Sequence, residues 1–212
     1  PGGNISALEK RYGIGKSEDS YRWSEVDERF NSEKNPNEPN RFGWVVEIDP
    51  FDPKSTPRKH TALGRFKHEG AKVTIAPDGR LAVYMGDNQR FEYIYKFVSK
   101  NRYRPGNRAA NMRLLEEGTL YVARFNENGS GDWLALVHGQ NGLTAANGFA
   151  DQGEVLVKTR MAADLVGATK MDRPEWITAD PFTAGSIYCT LTNNSQRGQE
   201  GKPAADAANP RA

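Results

Sequence analysis

The chain is predicted to be all-β, built from antiparallel hairpins joined by long loops, with one short helix. Three observations predict it. Short runs of β-branched and aromatic residues recur between turns rich in Gly, Pro, Asp and Asn. No helical patterns alternate with them, as a parallel sheet would require. Two segments also share a pattern. Residues 75–84 and 177–188 each read as a strand, an Asp/Pro/Gly turn and a second strand, followed by a polar pair, Asp87-Asn88 or Asn193-Asn194. Repeated hairpins of this kind suit part of a β-propeller, with a β-sandwich as the alternative.

Taken in order, residues 1–40 form a charged, loop-rich lead-in. A helical turn or two is expected over residues 5–11, with Asn4 as its cap. Gly13-Ile14-Gly15-Lys16-Ser17 mimics the end of a phosphate-binding P-loop, but Lys10 stands where the first glycine belongs and no apolar strand precedes it. Strands are predicted at 44–48, 61–66, 72–76, 81–85 and 91–98, the last with Phe91, Tyr93, Tyr95 and Phe97 on one face. Pro77-Asp78-Gly79-Arg80 is a hairpin turn. Residues 99–115 are basic and polar. A hairpin follows, 118–125 with 132–137. The helix is expected at 153–165, and the last two strands near 177–180 and 185–192.

Composition excludes several classes. Gly (21) and Pro (12) are frequent among 212 residues, which fits turn-rich structure. The net charge is +2, from 29 basic and 27 acidic residues, so no general field favours a nucleic-acid partner. No run approaches the roughly 18 apolar residues of a membrane span, and no basic, then apolar, leader opens the chain. Cys189 has no second cysteine to pair with. His60, His68 and His138 are too few and scattered for a His-rich metal site. Residues 1–3 open in mid-loop and 199–212 read as a truncated loop, so the chain is expected to be an internal portion of one longer domain.

Several residues have the chemistry for a site. Arg173 and Glu175 stand two apart across Pro174. Pro174 biases Arg173 toward extended geometry, and an extended segment puts i and i+2 on one side. A guanidinium beside a carboxylate suits an anionic substrate held next to a metal cation; a loop ion pair is the structural alternative. Glu69, beside Gly70 at a corner, is a metal-ligand candidate or a solvated turn carboxylate. Asp87 is a hard oxygen ligand for calcium or a turn former. Asn194 can ligate, donate or cap a strand end. Residues 126–132 place oxygens like the start of a calcium loop, but Val137 occupies the acidic twelfth place, which favours a plain Asx/Gly hairpin. Cys189 reads as a small buried hydrophobe. Lys100, Arg102, Arg104 and Arg108 form a solvated basic loop or a phosphate-attracting rim.

Longer words then carry a resemblance. Residues 40–50 (NRFGWVVEIDP), 63–71 (LGRFKHEGA), 93–98 (YIYKFV), 118–123 (GTLYVA), 172–176 (DRPEW) and 190–194 (TLTNN) resemble the PhoX family of secreted bacterial alkaline phosphatases. The resemblance runs through almost all of residues 10–212. It implies roughly two to three blades of a six-bladed propeller. It also implies hydrolysis of phosphomonoesters at an oxo-bridged pair of Fe3+ ions with Ca2+, export by the twin-arginine route to the periplasm or beyond, and a monomeric whole enzyme. Glu69 would be a bridging metal ligand, Glu175 a second, and Arg173 the phosphate-binding arginine. Asp87, Asn194 and Asp172 carry over less directly, Asp87 and Asp172 toward metal and Asn194 toward substrate. The family's iron-ligating cysteine would lie upstream of this chain and a further acidic ligand downstream, so the chain alone is expected to be inactive. A calcium-dependent propeller lactonase and a non-catalytic propeller scaffold remain the rival functions.

Overall fold

Turn chemistry sets the strand boundaries. In the computed structural model, which describes residues 5–15 and 21–210, Gly79 adopts φ +83° between β3 (Lys72–Ile75) and β4 (Arg80–Gly86). The Asp78 carboxylate accepts from the Arg80 amide at 3.0 Å and closes the turn. β5 (Ile94–Arg102), β6 (Gly118–Phe125) and β7 (Gly131–Ala135) continue a five-stranded antiparallel meander in the order β3-β4-β5-β6-β7. Two further antiparallel pairs stand beside it in sequence. β1 (Val45–Glu47) pairs with β2 (Arg58–His60), and β8 (Pro174–Ala179) pairs with β9 (Ile187–Leu191). The two segments that share a pattern are thus the hairpins β3–β4 and β8–β9. Every sheet among the described residues is antiparallel, as the hairpin pattern predicts, and none closes on itself.

The chain divides into two compact units, residues 1–43 and 44–212. In the first, α1 (Ala7–Arg11) is capped by Ser6, not by Asn4, which lies outside the described residues, as do Lys16 and Ser17 of the P-loop mimic. Ser6 and Glu9 form a reciprocal capping box. α2 (Trp23–Val26) follows, and Arg29 lies over the rings of Phe30 and Phe42 while pairing with Glu38.

The second unit is layered. One face of the meander carries Leu81, Val83, Met85, Tyr95, Phe97, Leu120 and Val122 into the main core. Against that face lie two helices, α4 (Gln152–Val157) and α5 (Thr159–Leu165), preceded in the chain by the single turn α3 (Arg108–Asn111). The opposite face contributes Ala82, Tyr84, Ile94 and Ala123 to a smaller cluster with Met171 of the loop before β8 and Ile177 of β8. Helices therefore cover one side of the sheet and the β8–β9 hairpin covers part of the other.

Three expectations change. The helix expected at 153–165 is broken at Lys158, because the Thr159 hydroxyl turns back to the Leu156 carbonyl (2.5 Å) and accepts the Arg65 amide (3.0 Å). Residues 61–66 are not a strand: Thr61–Leu63 is a 3-10 turn, Gly64 takes φ +79°, and the Arg65 amide donates to Leu156 instead of to a sheet neighbour. A Cβ on Gly64 would stand 2.6 Å from Leu120 and 2.9 Å from Thr159, so the segment is pressed under the helices too tightly for a side chain. Phe91 does not begin β5. It sits at φ +67° and its amide donates to Met171 (2.9 Å).

Two of the four cations proposed as a basic rim, Lys100 and Arg108, have carboxylate partners. Lys100 pairs with Glu117 at 2.8 Å and Arg108 with Asp49 at 2.5 Å, so neither is spare for a phosphate-attracting rim. Lys96 is the unusual cation. It lies between Tyr84 and Tyr121 on the neighbouring strands, with Nζ 4.3 Å from the Trp133 ring centre and 5.4 Å from that of Tyr121. Burial, with the charge of Arg80 adding to it, pulls its ammonium from 10.5 down to about 8. Between these values the folded chain holds fewer protons than the unfolded one, so stability rises with pH across that window. Lys96→Met is expected to be more stable than wild type at pH 7, with the gap shrinking toward pH 10. Denaturant titrations at the two pH values measure it; a constant gap would show that the charge is not the cause.

Candidate functional site

Three backbone segments meet where β4 ends. Residues 67–69 run antiparallel to 86–88: the Asn88 amide donates to the Lys67 carbonyl (3.1 Å) and the Glu69 amide to that of Gly86 (3.2 Å). The loop 90–92 runs antiparallel to 171–172, with the Met171 amide donating to Glu92 (2.8 Å). Gly86 permits the third approach. A Cβ there would lie 2.6 Å from the carbonyl oxygens of both Pro174 and Glu175, so only glycine lets the start of β8 come so close.

These segments place one amide side chain at the centre of the site. Asn88 Nδ2 donates to Glu69 Oε2 at 2.9 Å and to Glu175 Oε1 at 3.3 Å. Its Oδ1 accepts from Arg173 Nε at 3.2 Å. Glu69, Glu175 and Arg173 therefore converge, joined through Asn88, whose place beside Asp87 in the polar pair was the one available sign of it in the sequence. The route differs from the predicted one. Arg173 is not extended but left-handed, at φ +49°, and precedes β8; a bulge separates the pairing of Pro174 from that of Ile177. The alternation of a strand does not bring Arg173 and Glu175 together; the shared contact with Asn88 does.

Asp87, Asp172 and Asn194 lie elsewhere. Asp87 is fully buried and turned inward. Arg160 of α5 grips it with two bonds, Nε to Oδ2 at 2.7 Å and Nη2 to Oδ1 at 2.6 Å. Removing one partner of such a buried pair costs about 3–5 kcal/mol, so Asp87 is spent on the fold. Asp172 and Asn194 bind each other, Nδ2 to Oδ1 at 2.7 Å, and share a second cluster with Arg197 and Asn209. Arg197 is itself buried, donating to Asp172 (2.7 Å) and to the carbonyls of Ala204 (2.8 Å) and Lys170 (2.7 Å) while lying over Phe91. This cluster borders a cavity of about 560 Å³ lined in part by Thr192, Asn193 and Ser195. Residues 199–210 are not loose: the Asn209 side chain accepts from the Asp172 amide at 3.0 Å.

The remaining candidates resolve simply. Residues 126–132 make the β6–β7 hairpin, with Asn128 Oδ1 accepting from the Ser130 amide and hydroxyl and Asp132 paired with Arg124. Burial pushes the Cys189 thiol up to about 11, against a weaker opposite pull from the Glu175 backbone, which leaves it a poor nucleophile and a poor ligand. Glu69 and Glu175 offer hard oxygen donors suited to iron(III) or calcium, with an arginine beside them for an anion. They supply two ligands only; among the described residues no group of three or more His, Cys, Asp or Glu gathers for a metal. The residues present fit one side of a metal centre.

The family model for alkaline phosphatase PhoX matches residues 2–212, and the chain belongs to that family. Among solved structures it is similar to Pseudomonas fluorescens PhoX in complex with vanadate, a transition-state analogue, at 53% identity and a TM-score of 0.94. That match covers 99% of this chain and 37% of the Pseudomonas chain. Comparison with curated protein sequences gives no match.

The close approach at Gly86 is testable. Gly86→Ala should lose about 1–3 kcal/mol in urea denaturation, as overpacking does, because the methyl group meets the backbone carbonyls of Pro174 and Glu175. Gly70→Ala, which meets only the edge of the Trp176 ring at 3.3 Å, should lose less. Equal losses would show that β8 is free to move aside.

Proposed function

We propose that this chain is part of a secreted, metal-dependent phosphatase that hydrolyses phosphomonoesters, and that Glu69, Glu175 and Arg173 belong to its active site. The observation that carries the reading is the convergence of two carboxylates and one guanidinium on Asn88, in a chain of this family half identical to a protein solved with vanadate. The domain reading is one sector, about two to three blades, of a six-bladed propeller, in which residues 1–40 lead in and the other blades complete the ring of ligands. Such a protein would act as a periplasmic or extracellular monomer. No helix among the described residues is long and apolar enough to cross a membrane.

In this reading Glu69 and Glu175 hold Fe3+ and Ca2+, which when bound neutralise the phosphate and stabilise the charge that spreads over its equatorial oxygens. Asn88 sets the spacing of the two carboxylates by donating to both. Arg173 spends Nε on Asn88, which aims the two Nη groups of its planar fork at the phosphate oxygens. Its positive charge is close to the place where negative charge grows, so its effect is on the transition state as well as on binding. Asp172, Asn194 and Arg197 act one residue away, by fixing the backbone from which Arg173 departs. The mechanism gives no role to Cys189, and Asp87 serves as support, not as a ligand.

Arg173→Ala in the intact protein should lower the rate on p-nitrophenyl phosphate by about a hundredfold or more and weaken vanadate inhibition in parallel. Wild-type rates in that variant would remove Arg173 from the mechanism. Iron-free protein that hydrolyses an aldonolactone but not the phosphoester would instead establish the lactonase.

A further inference from the structure

We infer that Arg160, in the helical layer behind the sheet, is a positioning residue of the site: by fixing the loop around Asp87 it aims Asn88 at Glu69, Glu175 and Arg173. The inference rests on the reading of those three residues as a metal and phosphate site. Arg160 is fully buried, and three of its partners come from one loop. It forks onto Asp87, donates through Nη1 to Gln89 Oε1 at 3.2 Å, and stands 3.6 Å from Glu92 Oε2. Asn88 is in the middle of that set. The fork reaches the opposite segment too, because Asp87 Oδ1 accepts from the Lys67 amide at 3.3 Å, two residues before Glu69.

Backbone geometry links the buried pair to the site. Residue 87 bridges to His68 in antiparallel fashion, and the Gln89 amide donates back to the Asp87 carbonyl at 2.7 Å, a tight turn with Asn88 at its tip and the Arg160-held Asp87 and Gln89 at its base. Holding Asp87 inward therefore turns Asn88 outward, to where its amide meets both glutamates. A plain core staple needs none of this. Buried ion pairs are often replaceable by apolar residues at little cost, and such a replacement would leave Asn88 without its aim. A lysine at 160 keeps the charge but loses the two-bond fork.

The test compares wild type, Arg160→Lys and Gln89→Met in the intact protein. It measures melting temperature, calcium affinity after metal removal, and kcat and KM on p-nitrophenyl phosphate. Arg160→Lys should melt below wild type, because the buried ammonium lacks the two-bond fork, and it should also bind calcium about ten- to a hundredfold more weakly and lose kcat by a similar factor with KM little changed. A lowered melting temperature with wild-type calcium affinity and kcat would reduce Arg160 to a core staple. If Arg160→Lys does not fold, Gln89→Met, which removes a single bond from the set, decides on the same readings with a several-fold effect expected. If wild type binds calcium yet hydrolyses no phosphoester, the phosphatase reading fails while the calcium titration still judges Arg160. A wild type that binds neither calcium nor iron overturns both.

Discussion

The pairing of Asp87 with Arg160 is the constraint on which the rest of the second unit's site depends. Both side chains are completely enclosed. Taking each charge from water costs several kcal/mol, and the fork offsets this only while its geometry holds. Burial alone would lower the arginine's proton affinity, but the hydrogen bond and charge of Asp87 outweigh it and raise it. The pair therefore couples two layers that could otherwise slide: the helix α5 and the loop that leaves β4. The same helix is stapled to that loop's neighbourhood by Tyr93, whose hydroxyl donates to Asp164 at 2.5 Å. Under it, Phe66 is sandwiched between His68 (3.7 Å) and Tyr95 (4.2 Å), so residues 66–69 are registered on the sheet by ring packing as well as by hydrogen bonds.

A second clamp holds the other half of the site. Arg173 is a non-glycine residue in the left-handed region, a conformation that costs of order 1–3 kcal/mol and persists only where its surroundings enforce it. Enforcement is visible on both sides. Asp172 is held by Asn194, Arg197 and Asn209, and Pro174 is pressed against Gly86. The Thr192 amide closes the corner by donating to the Asp172 and Arg173 carbonyls. An arginine bonded to the same amide as two carboxylates, and whose neighbours are immobilised, has the preorganisation that the proposed anion site would use. The polar residues that the sequence offered as ligands are thus divided by the fold into those that face the site and those that hold it.

The chain spans 37% of the length of the Pseudomonas protein it resembles. Two carboxylates and a guanidinium define one wall. In the proposed propeller, ligands would converge on a channel from different blades, so a sector would carry some of them and its neighbours the rest.

Much was legible in the sequence because it is local. Period-two alternation and Asp/Gly turns set the hairpins β3–β4, β6–β7 and β8–β9, since strand pairing across a short turn needs little beyond its own residues, whereas the pairing of β5 with β6 spans the long segment 103–117. The residue types Glu69, Arg173 and Glu175 also announced themselves. The remainder was decided at long range. Nothing local distinguishes Asp87 from Asn88; their opposite fates follow from Arg160, 73 residues away, which claims one and so turns the other outward. The strand expected at 61–66 yielded to the helix break at Lys158, and the extended Arg173 expected beside Pro174 yielded to the clamps on its neighbours. In each case a local preference of about a kilocalorie met buried charges or close backbone contact worth several. Those contacts exist only once the layers are packed.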